Sequence, residues 1–131
     1  MMGQKVVSSV LTFGFCATAF VMASVAASPE GDAARGEKRF EECASCHSVA
    51  AGENGVGPTL NGIFNRKAAS VEDFRYSAAM QRSGITWTSE TLEAFIAEPQ
   101  KMVPGNRMAY AGLTEADGRA DLIAYLQNAT K

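Results

Sequence analysis

The five residues Cys43-Ala44-Ser45-Cys46-His47 constrain this chain more than any other segment. C-x-x-C-H is the spacing at which c-type haem is attached, because two thiols three positions apart can reach the two vinyl groups of one porphyrin. A histidine directly after the second cysteine then lies under the ring, where its imidazole can take one axial site on iron. The motif predicts one covalent haem c, attached through Cys43 and Cys46 and ligated by His47.

Other chemistries also use closely spaced cysteines. The pair could form a disulfide in an oxidising compartment. A thioredoxin-type site needs a strand before the motif and a helix after it, and no βαβ pattern surrounds Cys43. A zinc site needs a fourth ligand, and His47 is the only histidine in the chain. Haem attachment is the favoured interpretation, with a disulfide and a zinc site as the alternatives.

Residues 1–27 predict an export signal. Lys5 is the only charged residue before Glu30, the segment that follows Lys5 is apolar or small, and Val25-Ala26-Ala27 matches the pattern that signal peptidase cuts. We expect a signal peptide at 1–27, cleaved after Ala27, and an exported domain at 28–131. An uncleaved membrane anchor is the alternative, because residues 6–27 at ~1.5 Å each would span about 33 Å, roughly a bilayer core.

The exported residues predict an all-α domain, since no alternating strand pattern of useful length occurs. Three helices are marked at their ends by capping residues or by proline. They are expected from the N-cap Asp32 to about Glu42, from Thr88 to Pro99, and from Thr114, with Asp117 completing a capping box, into Leu126; a short helical turn is expected from Ser77 to Gln81.

Small and aromatic residues predict how the first and last helices pack. Gly36 lets two helices approach closely, and Phe40 can interlock with Leu122 and Tyr125 on the last helix. Gly118, in the first turn of that helix, is either a weak spot or a place where another backbone comes close.

With the single histidine used, the second axial ligand must be methionine, lysine or nothing. Met80 and Met102 lie at or near predicted helices and are interpreted as wall residues, whereas Met108 lies in the loop Pro104–Tyr110. Proline and glycine make that loop rigid and able to present a side chain inward, so Met108 is the predicted ligand. Two filled axial sites leave no room for oxygen or peroxide, which predicts an electron carrier and not an enzyme.

Six collinear stretches, which cover nearly all of residues 30–131, match a known pattern: Gly31-Asp32 with Gly36 and Phe40, Cys43–His47, Gly57–Gly62, Gly84–Trp87, Pro104–Leu113 and Arg119–Leu126. In these stretches the chain resembles class I cytochrome c, both mitochondrial cytochrome c and bacterial cytochromes c2 without large insertions. The resemblance implies the cytochrome c fold, with N- and C-terminal helices packed crosswise around a covalently bound haem.

The resemblance also implies roles for individual residues. These are thioether attachment at Cys43 and Cys46, axial ligation by His47 and Met108, acceptance of the His47 N–H by the Pro58 carbonyl, and a buried propionate surrounded by Arg66, Tyr76 and Trp87. A buried carboxylate must be paired or hydrogen-bonded, and these side chains are suitable donors. Plain core packing is the alternative for Tyr76 and Trp87.

The chain departs from the family pattern around the predicted Met108 ligand. Where relatives often place a tyrosine, an asparagine and a threonine in a polar network, this chain has Phe95, Met80 and Asn106. Two of three polar groups have become apolar, so we expect an altered reduction potential.

The second departure is charge. The lysine ring of mitochondrial relatives is interrupted by Glu42 and Glu115, and Lys67, Lys101 and Arg107 remain as candidate cations. The chain is net acidic, at −2, and has no basic stripe for nucleic acid. We expect a monomeric periplasmic carrier between a quinol–cytochrome c reductase and a terminal oxidase or photosynthetic reaction centre. A tethered carrier, a haem peroxidase, a thiol–disulfide oxidoreductase and a gas-binding cytochrome are the alternatives.

Overall fold

The computed structural model describes Gly3 and residues 30–131, so the predicted signal peptide and its cleavage site lie outside the described residues apart from Gly3. Within the described part the elements are α1 Ala33–Ala44, α2 Ala78–Arg82, α3 Ser89–Ala97, α4 Pro99–Met102 and α5 Ala116–Ala129. The only β pairing in these residues is an isolated bridge between Lys67 and Thr86, which confirms the all-α prediction. No helix among them is long and apolar enough to cross a membrane.

Three helices begin where the sequence predicts. The Asp32 carboxylate accepts a hydrogen bond from the backbone N–H of Arg35 at 2.9 Å, and Ser77 Oγ caps α2. At α3 a capping box forms, because Thr88 Oγ1 accepts from the Thr91 N–H at 3.2 Å and Thr91 Oγ1 accepts from the Thr88 N–H at 2.7 Å. These caps satisfy backbone donors that have no partner inside the helix.

The predicted start of the last helix is wrong. Helix α5 begins at Ala116 with Glu115 as its N-cap residue and no side-chain cap, so the capping box of Thr114 and Asp117 does not form. Arg119 explains the difference, since its guanidinium donates to the Thr114 carbonyl at 2.8 Å and holds that segment outside the helix. The four-residue helix α4, which the sequence analysis did not predict, begins at a proline, a residue favoured at the first helical position.

Helices α1 and α5 pack together through the predicted residues. A Cβ on Gly36 would collide with the Asp121 carbonyl and lie 2.8 Å from the Tyr125 Cβ, so only glycine allows this approach. The rings of Phe40 and Tyr125 are 5.2 Å apart between centroids. Around a Cβ built on Gly118 the three nearest atoms belong to side chains, which favours the weak-spot interpretation over a close backbone.

Candidate haem site

A cavity of about 370 Å³ lies between α1, the loop after it, α3 and the segment that follows α4. This volume is typical of cofactor pockets. Every residue predicted for the site lines it: Cys43, Cys46, His47, Pro58, Arg66, Tyr76, Trp87, Phe95, Asn106 and Met108. Much of the remaining wall is apolar, with Phe40, Leu60, Ile63, Met80 and Leu122. The tertiary structure therefore brings the predicted site residues together.

The end of α1 positions the cysteine motif. Cys43 lies in the last turn, and its carbonyl accepts hydrogen bonds from the backbone N–H groups of Cys46 and His47 at 3.0 and 2.9 Å. The helical turn thus continues through the motif and places both thiols and the imidazole at one cavity.

The two alternatives to haem attachment gain no support from the geometry. Cys43 and Cys46 are free thiols and not a disulfide. Among residues 30–131 no three His, Cys, Asp or Glu side chains are grouped so as to hold a metal ion. The pKa of the Cys43 thiol is raised to about 11, mainly by burial and to a lesser extent by the neighbouring Glu42 and Cys46. Thiol–disulfide oxidoreductases use a thiol of lowered pKa, so this environment does not suit them.

The loop after α1 fixes the His47 ring. Its Nδ1 lies 2.7 Å from the Pro58 carbonyl oxygen. A carbonyl can only accept, so Nδ1 is the donor and Nε2 is left unprotonated, which is the form that binds iron. Gly57 lies against the same ring, and a Cβ there would collide with the imidazole. Gly57 thus positions the imidazole, a role that its place in the Gly57–Gly62 stretch does not reveal from the sequence alone.

Met108 lies in an irregular loop on the cavity. It is half-buried, and its backbone N–H donates to Asn106 Oδ1 at 2.9 Å. Met80 is buried in α2 and also lines the cavity, whereas Met102 packs against the hydrophobic core. Iron ligation by Met108 thus agrees with the placement of the loop and stays a prediction.

Arg66 gives a test of whether the cavity suits haem. Its guanidinium donates to the backbone carbonyls of Asn61 at 2.6 Å and Thr59 at 2.9 Å, and burial lowers its pKa. Among the residues described, no carboxylate forms a salt bridge with it. A guanidinium has five N–H donors, so further donors remain for a carboxylate group in the cavity. A haem propionate would supply the missing counter-charge.

Tyr76 and Trp87 complete this side of the cavity. Burial raises the pKa of the Tyr76 phenol, which keeps it a neutral donor. Trp87 is buried and packs against Phe95 with ring centroids 5.1 Å apart. The thiols, imidazole, guanidinium and apolar wall together fit a haem with covalent attachment. Propionate contacts by Arg66, Tyr76 and Trp87 remain a prediction.

The buried side chain of Asn106 faces the backbone. Its amide donates to the carbonyls of Pro99 at 2.9 Å and Val103 at 2.8 Å. Its oxygen accepts a hydrogen bond from the Met108 N–H. The side chain of Asn106 therefore bonds to main-chain groups and not to the Met108 sulfur.

Comparison with known proteins places these residues in context. A family model described as Cytochrome c matches residues 33–130. The chain is 44% identical over 119 residues to cytochrome c2 of Blastochloris viridis, covering 89% of this chain and 91% of that protein. It is 45% identical over 104 residues to cytochrome c type-1 of Ascaris suum, covering 79% and 93%. The solved structure of cytochrome cH from Methylobacterium extorquens has a TM-score of 0.71 at 41% identity, covering 75% of this chain and 99% of that one.

Proposed function

The chain belongs to the cytochrome c family, a family of electron carriers and not of enzymes, and from that premise we propose that it is a soluble periplasmic carrier with His47/Met108 ligation. The single observation that supports this ligation is that Cys43, Cys46, His47 and Met108 all line one cavity. Members of the family bind haem c covalently, and Cys43 and Cys46 are consistent with that attachment.

When bound, haem c supplies a one-electron Fe(II)/Fe(III) couple. The protein residues hold it and set its environment. Cys43 and Cys46 would form the thioether bonds, the Pro58 carbonyl orients His47, and Met108 would offer a soft sulfur that favours the ferrous state. Arg66 would balance the charge of a propionate, and the apolar wall would keep water away from the iron.

Electron transfer is favoured over peroxidase chemistry because two protein ligands would close both axial positions. A peroxidase needs an open sixth position. The side chain of Asn106 joins the loop that contains Met108 to the backbone of Pro99 and Val103 by hydrogen bonds. These bonds support a Met108 that stays at the iron and leaves no open sixth position.

Export and partner choice extend this proposal. Cytochrome c2 relatives and the leader-like segment at 1–27 support a periplasmic location, with a membrane-tethered form as the alternative. We expect brief contacts with a quinol–cytochrome c reductase and with an oxidase or reaction centre, through small and partly wet interfaces. Glu42 at the cavity rim favours partners that are less acidic than those of lysine-ringed relatives.

An absorption spectrum of the oxidised holoprotein tests the ligation. We expect the weak far-red thioether-to-iron band in the wild type and in Met80→Leu and Met102→Leu. Met108→Leu should lose the band and should bind added imidazole more tightly. A wild type without the band, or a Met108→Leu variant that keeps it, would disprove ligation by Met108.

A further inference from the structure

Asn106 links helix α4 to the backbone of Met108. The side chain is buried, with 7% of its residue surface exposed. Its two amide hydrogens go to the carbonyls of Pro99, the first residue of α4, and of Val103, its C-cap. Its oxygen accepts the Met108 N–H. One side chain thus joins both ends of a short helix to the predicted ligand.

Gln100 makes a second link between the same elements. Its Nε2 donates to the Asn106 carbonyl at 3.0 Å and, more weakly, to the Met108 carbonyl at 3.5 Å. Its Oε1 accepts from the Gly105 N–H at 3.3 Å. Gln100 is exposed and its bonds are longer, so each is weaker than the bonds of Asn106.

We propose that Asn106 and Gln100 form a clasp that holds Met108 in its ligating position, with Asn106 as the dominant positioning residue. The segment 104–108 has no regular secondary structure, and Gly105 has a φ of +84°. One backbone bond, from the Asn106 N–H to the Val103 carbonyl at 3.1 Å, joins the segment to the end of α4, and the other bonds to α4 come from the side chains of Asn106 and Gln100. The inference rests on the proposed ligation by Met108 and adds that the stability of the clasp sets how readily the sulfur leaves iron.

Imidazole added to the oxidised holoprotein probes this directly, because it can bind only where Met108 has left. Asn106→Asp keeps the shape and the acceptor but loses both donors and turns a carboxylate toward two carbonyl oxygens. We expect imidazole affinity to rise roughly tenfold, equivalent to ~1.4 kcal/mol, with a weaker far-red band. Asn106→Thr should show a smaller rise, of roughly threefold, and Gln100→Ala a rise smaller still.

Two variants separate this effect from general destabilisation. Thr130→Val removes a buried hydrogen bond from Thr130 Oγ1 to the Leu126 carbonyl, and Gln127→Ala removes an exposed glutamine bonded to Ser89. Thr130→Val should lower the denaturant midpoint, and both variants should bind imidazole like the wild type.

The outcomes distinguish the clasp from the ligation itself. If Met108→Leu binds imidazole more tightly but Asn106→Thr and Gln100→Ala match the wild type, the clasp is overturned even if Asn106→Asp fails to fold. If Met108→Leu leaves the affinity unchanged, the ligation fails. If Thr130→Val raises the affinity as much as Asn106→Thr does, the effect is general loss of stability, and the clasp is again overturned.

Discussion

The Nδ1 atom of His47 lies 2.7 Å from the Pro58 carbonyl oxygen, and Gly57, one residue earlier, packs its backbone against the same imidazole ring. The hydrogen bond sets the tautomer, and the glycine sets the ring position. The two effects are separable, because only the second depends on the absence of a Cβ.

Gly57→Ala is therefore expected to displace the His47 ring. The added methyl would collide with the imidazole, so either the ring or the loop must move. Overpacking of this kind typically lowers the free energy of unfolding by about 1–3 kcal/mol. We expect lower yield of holoprotein and a lower denaturant midpoint. Gly118→Ala is the control for the change in residue, since a Cβ at Gly118 makes only ordinary contacts from 3.5 Å and its φ is not positive. Equal holoprotein yields from both variants would contradict the role of Gly57.

Phe95→Tyr is expected to shift the midpoint potential. Phe95 is 6% exposed and lines the cavity, so a phenol there would add a polar group near the iron site. A net hydrogen bond of about 0.5–1.5 kcal/mol corresponds to roughly 20–60 mV for one electron. Phe64→Tyr, at a phenylalanine outside the cavity, should leave the potential unchanged. Voltammetry of the two variants decides, and a Phe95→Tyr potential equal to that of the wild type would refute the inference about the polar network.

Asp121 should make stability depend on pH in the acid range. The Arg35 side chain, followed by the Asp32 backbone N–H, holds the pKa of this carboxyl below its ordinary value. Since the folded pKa is depressed, the stabilisation is present above the unfolded value of about 3.9 and is lost as pH falls through the folded pKa. Asp121→Asn should unfold more easily near pH 7 and show a flatter acid limb in denaturant titrations.

The control for that titration is an exposed pair. Glu98 and Lys101 are 2.7 Å apart, but 58% and 75% of their side-chain surfaces are exposed. Glu98→Gln should leave the free energy of unfolding almost unchanged, because solvent screens an exposed pair. A pH profile of Asp121→Asn that runs parallel to the wild type would argue against the linkage.

The same substitution at two glycines should have opposite signs. Gly36→Ala collides with the Asp121 carbonyl and is expected to cost about 1–3 kcal/mol. At Gly118, in α5, a Cβ meets its nearest side-chain atoms at 3.5 Å, an ordinary contact. Gly118→Ala should therefore stabilise the protein by about 0.5–1 kcal/mol through helix propensity. Thermal unfolding of both variants checks this, and loss of stability in Gly118→Ala would show that the site is tighter than its distances indicate.

Glu42→Lys should strengthen association with an acidic redox partner. Glu42 lies at the cavity rim and accepts a hydrogen bond from the Tyr110 hydroxyl at 3.4 Å. Reversing its charge should raise the association rate at low ionic strength by about tenfold, with a steeper salt dependence. Glu37→Lys makes the same charge change on exposed α1 surface outside the cavity lining and should have a smaller effect. Equal effects would mean that net charge, and not the rim, governs docking.

The sequence predicted best where the governing contacts are local. The C-x-x-C-H spacing determines that both thiols and the imidazole emerge from one turn, and Asp32 and Thr88 cap helices through residues three positions away. The start of α5 was predicted wrongly because the side chain of Arg119, a residue within α5, donates a hydrogen bond to the Thr114 carbonyl. Helix propensity and capping patterns do not take such a side-chain bond into account.

The sequence by itself determined the haem motif, the helical class and the chemical types of the site residues, since these follow from spacing and periodicity. Only the tertiary structure decided which backbone groups each polar side chain reaches. The side chain of Asn106 bonds to α4, that of Arg66 to the Thr59 and Asn61 carbonyls, and that of Asp121 to the first turn of α1. A polar group removed from water must form a hydrogen bond with a partner within about 3 Å, and only the folded chain determines which partner that is.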